Sequence, residues 1–388
     1  MKFKRIFLLV LDSLGVGEAK DAESYGDTGS NTLKHIIDKT ELYAPNLEKL
    51  GFLNTLTLTE NKKADAYYTI ASPTNKGKDS LSGHYELVGI KSDTPFKTFP
   101  NGFPRDLINQ IEVTTGRRVI GNVLAPGTTV IKELGERHIT YGGLIIYTTS
   151  DSVLNVAAHE KVISPEKLYK YCEVIRALTL KEEWKVGRVV AKPFIGNSRD
   201  SFRFTSHGKE FSVKPPMKSI LSKLEDKNLS VISIGKIYDI FDGEGITKKI
   251  TSSNNKEALD KLLDIMDKNF NGLCFANLSD FDTLYGHRRF PEGYAKAIEE
   301  FDVSIPMILN NLNNDDLLII TADHGNDPTF TGNDHTRENV PVIIYSRIFT
   351  EQKVLPVMNT MSDIAATIAE NFDIDKPIIG LSYLKELK

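Results

Sequence analysis

Ile6-Phe7-Leu8-Leu9-Val10-Leu11-Asp12-Ser13-Leu14-Gly15-Val16-Gly17 begins with six apolar residues, breaks on an aspartate and continues as a turn-forming sequence. A run this short cannot span a bilayer, and it suits a strand buried on both faces. The preceding Met1-Lys2-Phe3-Lys4-Arg5 imitates the charged start of an export signal. The apolar stretch nevertheless lacks the length and the small-residue cleavage site of such a signal, so a cytoplasmic location is expected. Comparable runs recur at Val231-Ile234, Leu273-Leu278, Leu317-Thr321 and Val340-Tyr345. Helical patterns lie between several of them: 216–227, opening at a proline, 255–270, and 291–312 with Ala295, Ile298, Phe301, Ile305, Ile308 and Leu312 on one stripe. A further helix is expected at 361–371. This alternation predicts an α/β fold with a mostly parallel sheet flanked by helices.

The texture changes between residues 96 and 215, where alternating segments such as Leu144-Thr148 and Arg188-Ala191 surround a helical pattern at 165–179. We read this stretch as an inserted α+β domain, with 1–95 and 216–388 forming the core and the pairs Thr94-Pro95 and Pro215-Pro216 as its hinges. At 388 residues the chain exceeds the usual reach of one hydrophobic core. Its 40% hydrophobic and 26% charged residues are those of a folded chain, and a formal charge of -4 provides no footprint for nucleic acid. The two cysteines, Cys172 and Cys274, fall in apolar helical and strand patterns and are expected to be reduced packing residues. No zipper pattern is present, no membrane association is indicated, and a monomer is expected.

The chemistry gathers at strand ends. Asp12, Asp282 and Asp323 each follow the end of an expected parallel strand, the edge at which open α/β sheets hold ligands. Asp282-Thr283-Leu284-Tyr285-Gly286-His287 sets a carboxylate and an imidazole five residues apart across a glycine-containing loop, Asp323-His324 leave their strand together, and His335 lies in Asn333-Asp334-His335-Thr336-Arg337. Each residue alone has an ordinary structural reading as a cap or a satisfied polar group. Together, three aspartates and three histidines suit two divalent cations with open positions for phosphate oxygens, as two-metal phosphoryl transfer requires; Mn²⁺ and Zn²⁺ both fit such ligands. The nucleophile is sought in Gly77-Lys78-Asp79-Ser80-Leu81-Ser82-Gly83-His84-Tyr85-Glu86, where mechanism alone leaves Ser80 and Ser82 open.

These motifs resemble those of the phosphopentomutases, of the alkaline phosphatase-like superfamily, nearly end to end. The likeness extends to Ser150-Asp151-Ser152-Val153-Leu154-Asn155-Val156-Ala157-Ala158-His159-Glu160 and Asp242-Gly243-Glu244-Gly245. The resemblance implies an alkaline phosphatase-like core with an inserted substrate-binding cap. It places the nucleophile on Ser80, where the family commonly has threonine. It assigns Asp12, Asp323 and His324 to one metal and Asp282, His287 and His335 to the other, with Mn²⁺ the expected cation and a sugar bisphosphate the expected primer. It implies pentose phosphates as partners, with Asp151 on the pentose hydroxyls and Arg188 and Lys236 on phosphate. Where the family often reads Arg-Thr-x-Asn-Arg-His-Asp-Tyr, this chain has Phe204-Thr205-Ser206-His207-Gly208-Lys209-Glu210-Phe211, leaving Arg203 and Lys209 as the adjacent cations. Rival readings are a cofactor-independent phosphoglycerate mutase or phosphatase of the same superfamily and, from another class, an inactive sugar-phosphate-binding scaffold.

Overall fold

The computed structural model describes residues 2–58, 63–149 and 151–388, so Ser150 at the head of the Ser150–Glu160 motif lies outside the described residues. In chain order the strands are β1 Arg5–Leu11, β2 Tyr67–Ala71, β3 Val119–Leu124, β4 Leu144–Thr148, β5 Val153–His159, β6 Arg188–Ile195, β7 Arg203–Phe204, β8 Lys209–Ser212, β9 Ser230–Ile234, β10 Lys248–Ile250, β11 Gly272–Leu278, β12 Asp316–Thr321 and β13 Val340–Tyr345. The chain forms two compact units, one of Met1–Pro95 with Pro215–Lys388 and one of Phe96–Lys214.

In the discontinuous unit a seven-stranded sheet runs β10-β9-β11-β1-β12-β13-β2. The apolar run Ile6–Leu11 sits in its middle, with β1 parallel to both β11 and β12. β9 and β10 extend the parallel part, whereas β13 and β2 are antiparallel additions at the other edge. Every residue of β1, β11 and β12 is buried, as strands covered on both faces require. Arg5, opposite Asp316 in the register, forms a bidentate pair with it at 2.7 and 2.5 Å and also donates to the Met266 and Lys268 carbonyls. This pins the amino ends of β1 and β12, so their carboxyl ends emerge together.

The helices depart from the sequence reading at their ends. The expected 216–227 helix begins later, as Ile220–Asp226, because Ser219 caps it by accepting from the Leu221 and Ser222 amides; Pro215 and Pro216 lie before it. The 255–270 helix stops at Met266, and 291–312 forms as Pro291–Asn311. Pro306 inside the latter supplies no N–H to the Asp302 carbonyl, and the Asn46 side chain donates to that carbonyl instead at 3.2 Å. The helix expected at 361–371 spans Ser362–Asn371.

The inserted unit has a mixed sheet in the order β3-β4-β5-β6-β7, with β8 also pairing with β6. Leu144 and Ile146 face one hydrophobic cluster with Leu168, Cys172 and Ile175 of the helix Pro165–Leu178. Ile145 and Tyr147 face another with Val130 and Ile131 of the helix Gly127–Tyr141. The expected alternating character of Leu144–Thr148 is therefore absent, because helices cover both faces and all five residues are buried. Cys172 and Cys274 are buried thiols outside any disulfide, and burial pushes Cys274 up to about 12. Among the described residues, no helix is long and apolar enough to cross a membrane.

Candidate metal centre

Because β9, β11, β1 and β12 run parallel, the residues that follow them share one edge of the sheet. Asp12 follows β1 directly, Asp323 follows β12 by two residues, and Lys236 follows β9 by two. Asp282 and His287 reach the edge differently from expectation. The expected glycine-containing loop is a π-helical turn, Phe281–Gly286, closed by the His287 amide on the Asp282 carbonyl at 3.0 Å. An i→i+5 turn stacks residues five apart, so the spacing itself brings carboxylate and imidazole together.

Two groups of potential ligands result: Asp12, Asp323 and His324, and Asp282, His287 and His335, with the ligand atoms of each group within 4.8 Å of one another. In the first, His324 Nε2 lies 3.6 Å from Asp12 Oδ1 and 3.2 Å from Asp323 Oδ2. In the second, Asp282 stands 3.3 Å from His287 Nε2 and 3.4 Å from His335 Nε2, and the two Nε2 atoms are 3.2 Å apart. The groups adjoin through His324 and His335, whose rings stack with centroids 3.9 Å apart.

The chemistry of this arrangement asks for cations. Asp12 Oδ1 and Asp323 Oδ2 are fully buried; Asp12 Oδ1 accepts no hydrogen bond among the described residues, and Asp323 Oδ2 has the His84 and His324 ring nitrogens 3.0 and 3.2 Å away. Buried carboxylate oxygens without donors are costly unless a positive centre faces them. The Gly325 carbonyl, 3.1 Å from His324 Nδ1, and the Asn333 carbonyl, 2.9 Å from His287 Nδ1, claim those nitrogens as donors. Nε2 of each imidazole is left to face the carboxylates, a position for a metal or for a proton. In the metal-free chain the proton prevails at His324: burial alone would lower this imidazolium, but Asp323 beside it raises it to about 10. Burial and Asp323 push the Asp12 carboxyl up. Burial would do the same to Asp282, yet His287 and His335 hold it well below the usual carboxylate range. The residues present thus fit two divalent cations by charge and by donor type, and the first group also by its orphaned carboxylate oxygen.

The helix Ser80–Leu87 separates the two candidate serines. Asp79 is its N-cap: one carboxylate oxygen accepts from the Ser82 amide, and the other takes the Ser82 hydroxyl at 2.7 Å. Ser82 is therefore committed to the cap, whereas Ser80 Oγ lies 3.1 Å from His324 Nε2, beside the first ligand group and at the positive end of the helix. Gly83 lets the helix approach, since a Cβ there would stand 2.1 Å from the Asp323 carbonyl oxygen. Glu86 fixes the other end, accepting from the Thr74 and Asn75 amides and from the Thr360 hydroxyl.

Three further residues, to which sequence reasoning gave no role, bind this group together. His84 Nδ1 donates to the Ser80 carbonyl at 2.8 Å and lies 3.0 Å from Asp323 Oδ2. Its Nε2 is 3.3 Å from the Asn277 amide, which also donates to Asp12 Oδ2 at 3.1 Å. Ser13, held at a φ of 73°, donates its amide to Asp323 Oδ1 at 3.0 Å. A lone asparagine inside the apolar run Leu273–Leu278 was the one available signal for Asn277.

The remaining expected residues divide between the units. Lys236 Nζ lies 3.6 Å from Asp12 Oδ2. In the inserted unit Arg188 is gripped by Asp151 at 2.9 Å and Glu210 at 3.2 Å. Lys209 stays apart from that cluster: it alternates with Glu210 along β8 and lies over the Tyr169 and Phe211 rings, 5.2 and 4.8 Å from their centroids. Arg203 is an exposed residue of β7, opposite Ile195.

The sequence profile of the metalloenzyme superfamily matches residues 4–376. The chain belongs to that superfamily. The α/β architecture and the paired ligand groups accord with a metal-dependent enzyme of this superfamily. Among solved structures, the chain is similar to the PH0037 protein of Pyrococcus horikoshii, at 16% identity over 96% of this chain and 98% of that one, with a TM-score of 0.49. It is also similar to Leishmania mexicana phosphoglycerate mutase, at 11% identity over 98% and 97% of the respective chains, with a TM-score of 0.49. A protein in the alkaline phosphatase superfamily from Vibrio parahaemolyticus matches at 12% identity over 99% of this chain and 70% of that one, with a TM-score of 0.44.

Proposed function

We propose that this chain is a phosphopentomutase, interconverting ribose 1-phosphate and ribose 5-phosphate, and the 2-deoxyribose pair, through a phosphoserine at Ser80. The observation that carries phosphoryl transfer is the placement of Ser80 Oγ, 3.1 Å from His324 Nε2 at the start of a capped helix, while Ser82 is held by Asp79. The choice of pentose phosphate is supported by the resemblance of the Asp151 segment and of Asp242-Gly243-Glu244-Gly245 to that family.

In this reading Asp12, Asp323 and His324 hold one divalent cation, and Asp282, His287 and His335 the other. Such cations, Mn²⁺ by resemblance, would neutralise phosphoryl oxygens and acidify the serine hydroxyl. Phosphorylated Ser80, primed by a sugar bisphosphate, gives its phosphoryl group to the free hydroxyl of the bound sugar monophosphate; the P–O bond to Oγ breaks as that to the sugar oxygen forms. The resulting 1,5-bisphosphate turns and returns its other phosphoryl group to Ser80 Oγ, which restores the enzyme. The helix N-terminus favours the dianionic ester on Ser80. Lys236 supplies positive charge beside Asp12. Asp151 reads the sugar hydroxyls, and Arg188 both orients Asp151 and offers a phosphate contact in competition with Glu210. Arg203 and Lys209 are the remaining cations for phosphate near the altered 204–211 segment.

The test is a coupled assay with ribose 1-phosphate, Mn²⁺ and a trace of ribose 1,5-bisphosphate, with mass spectrometry of the Ser80 peptide. Ser80→Ala is expected to lose on the order of 10³-fold or more in turnover and all peptide phosphorylation. Full activity in that variant would move the nucleophile, with Ser82 the next candidate. Hydrolysis without isomerisation, or turnover of phosphoglycerate in place of ribose phosphate, would overturn the assignment.

A further inference from the structure

Arg289 is two residues beyond His287, and its side chain makes more hydrogen bonds than a surface arginine needs. Its Nε donates to the Gly332 carbonyl at 2.5 Å, and Nη2 donates to the Asp334 carbonyl at 2.9 Å. Nη1 donates to the Gly286 carbonyl at 3.0 Å, the Asp327 carbonyl at 3.0 Å and the Asn326 side-chain oxygen at 2.5 Å. These acceptors belong to three separate segments: the π-helical turn that ends next to His287, the segment after His324, and the loop that leads into His335.

One of the contacts leads to a ligand directly. A guanidinium has only donors, so Asn326 must turn its oxygen towards Arg289, and its amide nitrogen then donates to Asp282 Oδ1 at 2.8 Å. All three members of the second ligand group are therefore tied to one side chain: Asp282 through Asn326, His287 through its own turn, and His335 through the carbonyls of Gly332 and Asp334. The backbone adds an independent sign. Arg289 sits at a φ of 54°, in the left-handed region that bulky residues avoid, and such strain persists only where the surroundings enforce it.

We propose that Arg289 is a positioning residue for the second metal, holding Asp282, His287 and His335 at a common point. The inference rests on the reading that the two ligand groups bind divalent cations. A planar fork whose three nitrogens reach three segments at once, Nη1 sharing its two N–H groups among three acceptors, is what this arrangement requires, and a lysine ammonium in its place keeps the charge but loses the geometry. In the first group Asp12 and Asp323 are instead linked through Ser13, His84 and Asn277, and Arg289 reaches only the segment after His324, so Arg289 should act mainly on the second metal.

The experiment is calorimetric titration of Mn²⁺ into the metal-free full-length chain, for wild type, Arg289→Lys, Arg289→Ala and Asn326→Ala, with Asp282→Asn marking the second site. Thermal unfolding of each metal-free protein is measured alongside. Wild type is expected to bind two Mn²⁺. Both Arg289 variants are expected to weaken the site that Asp282→Asn abolishes by about 10- to 100-fold, leaving the other within about threefold. Asn326→Ala, which spares the backbone carbonyls, should weaken the same site to a smaller degree. Two unchanged affinities in both Arg289 variants would overturn the proposal, and so would equal weakening of both sites with a lower metal-free melting temperature, the mark of a purely structural staple. A wild type that binds no Mn²⁺ would instead bring down the underlying metal reading, a failure separate from that of Arg289.

Discussion

In the proposed reading a proton and a metal compete at His324 for the same lone pair. Burial disfavours the imidazolium, yet Asp323 beside it raises the metal-free group to about 10. An imidazole raised above its unfolded value near 6.5 contributes stability in full below that value and loses it as pH rises through the folded value. The metal-free protein should therefore lose this contribution between about pH 7 and pH 10, and a cation on Nε2 must first expel the proton. We predict that Mn²⁺ uptake at pH 8 releases at least about one proton per chain, measurable as a dependence of the binding heat on buffer ionisation enthalpy. Affinity should rise about tenfold per pH unit across the same range. Release of no proton would show that His324 enters the reaction already neutral. The candidate ligands were legible in sequence because Asp12 and Asp323 sit at strand ends, where a break in an apolar run is visible. Ser80 and Ser82 were inseparable there, because the distinction depends on which hydroxyl the Asp79 cap occupies. Ser13 and His84 act through partners hundreds of residues away, which no local pattern records.

Between elements, the decisive contact is the helix Ser80–Leu87 against the chain at Asp323, and it depends on one missing methyl group. A Cβ on Gly83 would stand 2.1 Å from a backbone oxygen, which cannot swing aside as a side-chain end could. Gly83→Ala must therefore push the helix away and carry Ser80 from His324. We expect a cost of about 1–3 kcal/mol in stability. If Ser80 is the nucleophile, as proposed, a 1 Å displacement would also lower turnover on the order of 10²-fold. Thermal unfolding and the coupled ribose 1-phosphate assay measure the two effects; unchanged turnover would mean that the helix is not held at this contact. The apolar runs revealed the core strands within a residue or so, since burial on both faces writes itself into composition. The π-helical turn at Phe281–Gly286 did not show, because a five-residue spacing fits a loop as well. The 216–227 helix was drawn too long because Pro216 imitated a helix start that Ser219 provides.

At the scale of the whole chain, the residues divide by unit. Both ligand groups, Ser80, Lys236 and Arg289 belong to the discontinuous unit, whereas Asp151, Arg188, Arg203 and Lys209 belong to Phe96–Lys214. The inserted unit has hydrophobic clusters on both faces of its own sheet, so it needs no core from elsewhere. The discontinuous unit likewise closes its sheet with its own strands. On the proposed function, metal binding should then survive loss of the insertion, while recognition of the sugar should not. Replacing residues 96–214 by a flexible glycine-serine linker tests this division, since the closure cost of such a linker grows only slowly with length. The shortened protein is expected to bind two Mn²⁺ with affinities within about tenfold of the full chain, because none of the ligands or the groups that orient them is removed. Isomerisation of ribose 1-phosphate should fall by on the order of 10³-fold or more, since binding energy from remote parts of a substrate supports the chemical step. Collapse of metal affinity in the shortened protein would show that the discontinuous unit depends on the insertion for its fold. Surviving isomerisation would overturn the proposed roles of Asp151 and Arg188 and place sugar recognition among residues of the core.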